Sequence, residues 1–212
     1  MGLLDRAFLD AGFSVQAGCE IDPRMRRMHD QVCGGDYLTE DLTDLVSYFN
    51  LSMMGYDGVI GGPPCQSHSK TRAMRKPKFP DLTPLVNACL AVAMPEWYLF
   101  ENVCPLDIPG SKTIRLDAMH FYKPHQSRPR WFTYSPNLTP PSPVYAGTVN
   151  DLMAYPAVAA KIFGPYRGAA LQGYPAANDI DASCVDKQLG LANAVPYPLA
   201  LAWANSIKET FS

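Results

Sequence analysis

A short buried strand that runs into a rigid turn constrains this chain most. Tyr56-Asp57-Gly58-Val59-Ile60-Gly61 is a brief apolar run, and it stops at Gly62-Pro63-Pro64-Cys65-Gln66-Ser67. A short run of this kind, closed by glycine and proline, predicts a core strand followed by a turn. Cys65, just past the strand end, then sits where open α/β sheets build their sites. A second apolar run, Trp97-Tyr98-Leu99-Phe100, leads into Glu101-Asn102-Val103 and places a carboxylate at another strand end. Gln126-Ser127-Arg128-Pro129-Arg130 supplies two guanidiniums. A thiol, a carboxylate and paired arginines, each at a strand end, point to nucleophilic attack on a polar ring.

Strand and helix signals alternate along the rest of the chain. Residues 2–12 have apolar positions at helical spacing and a glycine stop at Gly12. Ser14 to Ile21 reads as a strand ending at Glu20-Ile21-Asp22, and Pro23 suits the first turn of the next helix. Asp41-Leu42 follows a short strand, residues 81–94 read as a helix, and 116–134 as two strands flanking the Gln126–Arg130 turn. Residues 135–148 are rich in Pro, Ser and Thr and read as a loop, and Asn193 to Phe211 as a final helix. The alternation predicts an α/β fold, with a parallel sheet covered by helices on both faces. No internal repeat is visible.

At 212 residues the chain suits one domain, or one with a small appendage. No apolar stretch approaches the roughly 20 residues that span a membrane, and no export leader is expected. The six cysteines form no CxxC pair, which favours reduced thiols in a cytoplasmic protein and argues against zinc. A net charge of −2 hides an uneven distribution. Lys70, Arg72, Arg75, Lys76 and Lys78 crowd the stretch after Cys65, whereas Asp36, Glu40, Asp41, Asp44 and Asp57 gather elsewhere. A solvated loop would explain the first cluster; its place beside the candidate nucleophile favours a phosphate partner.

These motifs, in this order, resemble the cytosine-C5 methyltransferases. Gly12-Phe13, Glu20-Ile21-Asp22-Pro23 and Asp41-Leu42 resemble two early motifs; Pro63-Pro64-Cys65-Gln66, Glu101-Asn102-Val103 and Gln126-x-Arg128-x-Arg130 resemble the catalytic ones. Leu171-Gln172-Gly173-Tyr174-Pro175 and Gly190 with Asn193-Ala194-Val195-Pro196 resemble the last two. Each motif alone is weak; their collinearity over most of the chain is the signal. The resemblance implies a Rossmann-like S-adenosylmethionine-dependent sheet over residues 1–134, a small target-recognition segment over 135–168, and a return to the core over 169–212.

It also implies roles. Cys65 would add to C6 of a flipped cytosine, and Glu101, raised in pKa by burial, would meet N3 and the exocyclic amine. Arg130 would hold O2, and Arg128 would orient Glu101 or the loop after Cys65. For S-adenosyl-L-methionine, Glu20 would take the ribose hydroxyls, Ile21 would pack on adenine, and Asp41 rather than Asp36 would accept from its amine. Gly2, Leu3, Leu42, Pro63 and Asn193 would complete that pocket; taken singly, these residues are as readily caps and turn formers. Gln66, Ser67, Ser69, Lys70, Arg72, Gln126 and Arg167 would face nucleic acid, with His68 and Ser69 at the start of a closing loop or simply capping the turn.

Two departures from the family pattern shape the expectation. Gly2 matches only the last glycine of the family's first glycine-rich turn, so the first strand is expected to be missing and cofactor binding weaker. The recognition interval is roughly 30 residues, below an independent domain's size, so a short target, relaxed specificity or a helper subunit would follow. DNA is the expected partner. A tRNA-type substrate, and a catalytically impaired nucleic-acid-binding homologue, are the alternatives.

Overall fold

The computed structural model describes residues 1–34, 41, 43–44, 55–64, 80–122, 126–145, 155–156 and 165–212. It divides into two units, one of Met1–Leu42, Asp117–Arg128 and Thr139–Ser212, the other of Thr43–Leu116 and Pro129–Leu138. The fold is α/β, with no described helix long and apolar enough to cross a membrane.

In the second unit, strands β1 (Gly58–Gly61), β2 (Trp97–Asn102), β3 (Lys112–Asp117) and β5 (Pro129–Tyr134) form a sheet in the order β1-β2-β5-β3. Strand β4 (Gln126–Ser127) pairs instead with β6 (Tyr155–Pro156), in the first unit. β1 and β2 run parallel, with Gly58 opposite Trp97 and Gly61 opposite Phe100. β2 and β5 run antiparallel, with Leu99 opposite Tyr134 and Asn102 opposite Trp131. The expected parallel pairing therefore holds for β1 and β2 and is corrected at β5. β5 reaches β2 only after β3 and the Asp117–Arg128 segment, so its direction is set by the path of the chain back to the sheet and not by local alternation.

Helix α3 (Thr83–Ala93) starts where Asp81 Oδ1 accepts from the Thr83 amide at 2.9 Å. Its Val86 and Leu90 pack with Val59, Tyr98, Phe100, Leu106 and Ile108. Because strand side chains alternate, Tyr98 and Phe100 take this face of β2. Trp97, Leu99 and Glu101 take the other.

The first unit is helical. Helix α1 (Leu3–Asp10) lies against the last helix, α6 (Tyr197–Phe211); Ala7 and Phe8 of the one and Leu199, Trp203, Ala204 and Ile207 of the other are all buried. Polar contacts fix the same pair: Lys208 Nζ donates to Ala11 O at 2.8 Å and Tyr197 Oη donates to Asp10 at 2.6 Å. Helix α2 (Pro23–Cys33) begins as Pro23 forecasts, with Asp22 accepting from the Arg24 amide at 3.0 Å. Arg24 holds the Asp22 carboxyl down to about 2. Helices α4 (Pro165–Leu171) and α5 (Cys184–Asn193) close the unit, and Ala169 and Leu191 share a core with Met1, Leu3, Met25 and Met28.

Two element readings change. Ser14–Ile21 forms no strand; Cys19 makes a lone bridge. Alternation supplies the pattern of a strand, but ladder bonds come from a distant neighbour. The expected helix from Asn193 is two elements: Asn193 ends α5, and α6 starts at Tyr197 with Pro198 in its first turn.

Gly58 carries a testable packing constraint. A Cβ there would stand 2.1 Å from the Trp97 indole, which is 6% exposed. Gly58→Ala is expected to cost about 1–3 kcal/mol by overpacking, read as a lower urea midpoint with an unchanged slope. An unshifted midpoint would contradict the register.

Candidate active site

The β2/β5 register explains which side chains meet. Glu101 stands opposite Phe132, so Arg130, two residues earlier on the same strand and the same face, is its diagonal neighbour. Arg130 Nε lies 2.7 Å from Glu101 Oε1, with only 17% and 12% of the two side chains exposed. Arg130 Nη1 also donates to Pro129 O at 2.9 Å, which fixes the plane of the guanidinium. The second carboxylate oxygen, Oε2, faces the turn after β1: a Cβ at Gly62 would lie 3.5 Å from it. This acid and base are thus held together at the end of two strands, largely out of water.

The turn itself is tied down. Asn102, 2% exposed, donates from Nδ2 to Pro63 O at 3.2 Å and accepts from the Val103 amide at 2.7 Å. Within Glu101-Asn102-Val103 the motif gives Asn102 no role of its own; a polar residue ending an apolar strand is the signal for one. Cys65 follows Pro64 by one peptide bond. Cys65, Gln66, Ser67, Ser69, Lys70, Arg72 and Leu42 lie outside the described residues, as does His68.

The two arginines of the Gln126–Arg130 segment go to different places. Arg128, 3% exposed, donates from Nη2 to Ala192 O at 2.7 Å, while its amide donates to Asp117 Oδ1 at 2.7 Å. Gln126 belongs to β4 and Arg167 to α4.

Two of the other thiols suit nucleophilic work poorly. Burial, then the charge of Asp5, pushes the Cys33 thiol up to about 12. Burial also raises Cys89. Both are thiols rather than thiolates at neutral pH.

The cofactor candidates of the first unit divide by exposure. Glu20 Oε1 accepts from the Asp22 amide at 2.9 Å, and Ile21 beside it is 50% exposed. A carboxylate oriented by the backbone next to an open apolar side chain fits a ribose diol and a purine face. Gly2, at φ 75°, caps the N-terminus of α1. Leu3 is 1% exposed within the core, so only its backbone is available to a ligand. Asn193 is exposed at the end of α5, and Asp41 is half-buried. Pro63 belongs to the other unit. Among the described residues no group of three or more His, Cys, Asp or Glu could hold a metal.

The fold is shared with a chain described provisionally as a DNA modification methyltransferase encoded within an E. coli prophage. The TM-score is 0.62 at 15% identity, covering 99% of this chain and 96% of that one. No curated protein matches the sequence. Residues 1–114, more than half of the chain, match the C-5 cytosine-specific DNA methylase family, and the chain belongs to that family of DNA cytosine methyltransferases.

Asn102→Asp keeps the shape but removes the donor to Pro63 O. With two acceptors then facing each other, it is expected to cost about 1–3 kcal/mol. Denaturant unfolding measures it; a parental midpoint would show that the turn does not depend on Asn102.

Proposed function

We propose that the chain transfers a methyl group from S-adenosyl-L-methionine to C5 of a cytosine flipped out of duplex DNA, with Cys65 adding covalently to C6. The observation that best supports this is the Glu101–Arg130 pair beside Gly62. Cytosine C5 is a weak nucleophile until a thiolate at C6 turns the ring into an enamine. Cysteine suits that step at neutral pH, and the basic run after Cys65 favours its thiolate.

Electron density moving toward N3 needs a donor there. Glu101, in its acid form, would hydrogen-bond N3 and accept from the exocyclic amine, while Arg130 would hold O2. In the ion pair Glu101 is a carboxylate acceptor, so the arriving ring must take part of the guanidinium's hydrogen bonding for the acid form to serve. S-adenosyl-L-methionine, when bound, supplies an electrophilic methyl on sulfonium. Glu20 would take its ribose, Ile21 and Asp41 its adenine, and the Gly2-Leu3 backbone and Asn193 the remainder. After C5 carries its methyl, loss of the C5 proton expels Cys65.

Residues 135–168 would make the target-recognition segment, within 1–134 and 169–212 as the catalytic body. Lys70 and Arg72, with Gln66, Ser67, Ser69, Gln126 and Arg167, would contact DNA, mainly its backbone.

A duplex containing 5-fluorocytosine tests the chemistry, because fluorine blocks the final elimination. The expected result is an adduct stable to denaturing electrophoresis, dependent on S-adenosyl-L-methionine, lost with Cys65→Ala and retained with Cys104→Ala. Glu101→Gln should form it about 10²- to 10⁴-fold more slowly. An adduct that survives Cys65→Ala removes Cys65 as the nucleophile.

A further inference from the structure

We propose that Arg128 and Gln172 are positioning residues: together they form a buried clamp on the C-terminal carbonyls of α5 that presets Asn193 for S-adenosyl-L-methionine. The inference rests on the reading above that Asn193 borders that ligand.

The last carbonyls of a helix have no partner within it. Many helices resolve this with a left-handed residue, usually glycine, just past the end. Helix α5 does not: Ala194, its cap, is extended at φ −69° and ψ 148°. Gly190 O accepts from the Ala194 amide at 3.0 Å, Leu191 O accepts from Gln172 Nε2, and Ala192 O accepts from Arg128 Nη2 at 2.7 Å. Two long polar side chains from elsewhere in the unit thus finish this helix.

Each of them is itself fixed. Gln172 caps α4 in a Schellman turn: the Gly173 amide donates to Ala170 O and the Tyr174 amide to Ala169 O, both at 3.0 Å, with Gly173 at φ 70°. Gln172 also accepts, at its own carbonyl, from the Tyr197 amide at 2.9 Å. It therefore grips both sides of the Ala194–Pro196 turn. Arg128 is anchored by its amide to Asp117, and its charge complements the negative end of α5.

Neither residue is placed to touch a ligand, since Gln172 is 0% and Arg128 3% exposed. Burying a charge and an amide is costly unless they are hydrogen-bonded, and the bonds their side chains make are to the end of α5. The residue they position is Asn193, exposed at the tip of α5 in the unit that carries Glu20 and Ile21. The rest of α5 is seated on the core, where a Cβ at Gly190 would stand 3.1 Å from the methyls of Met1 and Met28.

Calorimetric binding of S-adenosyl-L-methionine to the full chain tests this without any turnover. Arg128→Met and Gln172→Met, which keep the length but lose the donor, should each raise Kd about tenfold, as loss of one buried hydrogen bond implies. Arg128→Lys, which keeps a donor, should recover most of that loss. The double variant should bind less weakly than the product of the two effects, because both act on one turn. Arg115→Met, at an exposed position of β3 in the other unit, should leave this Kd at the parental value. A parent chain that binds no S-adenosyl-L-methionine overturns the proposed cofactor and the clamp with it. A parent that binds, with both Met variants unchanged, overturns the clamp alone.

Discussion

The diagonal ion pair between Glu101 and Arg130 is the interaction on which the rest of this site depends. Both groups are mostly withdrawn from water, so each would be expensive to leave alone. Their meeting is a consequence of backbone register, since a one-residue slip of β5 against β2 would send Arg130 to the opposite face. The sheet register therefore sets the pair before any loop is considered. A hydrophobic pair in the same places could give more stability, so the charges are better understood as function held at the sheet's expense.

Within each unit, buried polar side chains do the positioning. Asn102 holds the Pro63 carbonyl in the turn that leads to Cys65, and Arg128 and Gln172 hold the end of α5. In each case a helix or strand end that would otherwise rely on solvent is tied by a side chain from a distant part of the sequence. Such bonds contribute little net stability each, yet breaking one leaves a buried group unsatisfied. This asymmetry makes chain ends near a site well defined without a large core beneath them.

Much of this was legible in the sequence. The Gly58–Gly61 and Trp97–Asn102 strands, the Thr83–Ala93 helix and the Pro23 helix start all follow from local pattern and punctuation. So does the placing of Glu101 and Arg130 at strand ends. What failed to show was non-local. The direction of β5 depends on how the chain returns to the sheet, and Ser14–Ile21 has a strand's composition yet forms only a bridge at Cys19. The separation of Arg128 from Arg130 is of the same kind: adjacent in sequence and alike in charge, they are divided by where the strand begins.

If the acid and the guanidinium act on one ring, they must act as a unit. A double-mutant cycle on the rate of 5-fluorocytosine adduct formation, using Glu101→Gln, Arg130→Met and the combined variant, measures this directly. The combined variant should be little slower than the more damaged single one. Rate losses that simply multiply would mean that the two groups work independently, contradicting the convergence of Glu101 and Arg130 on a single base.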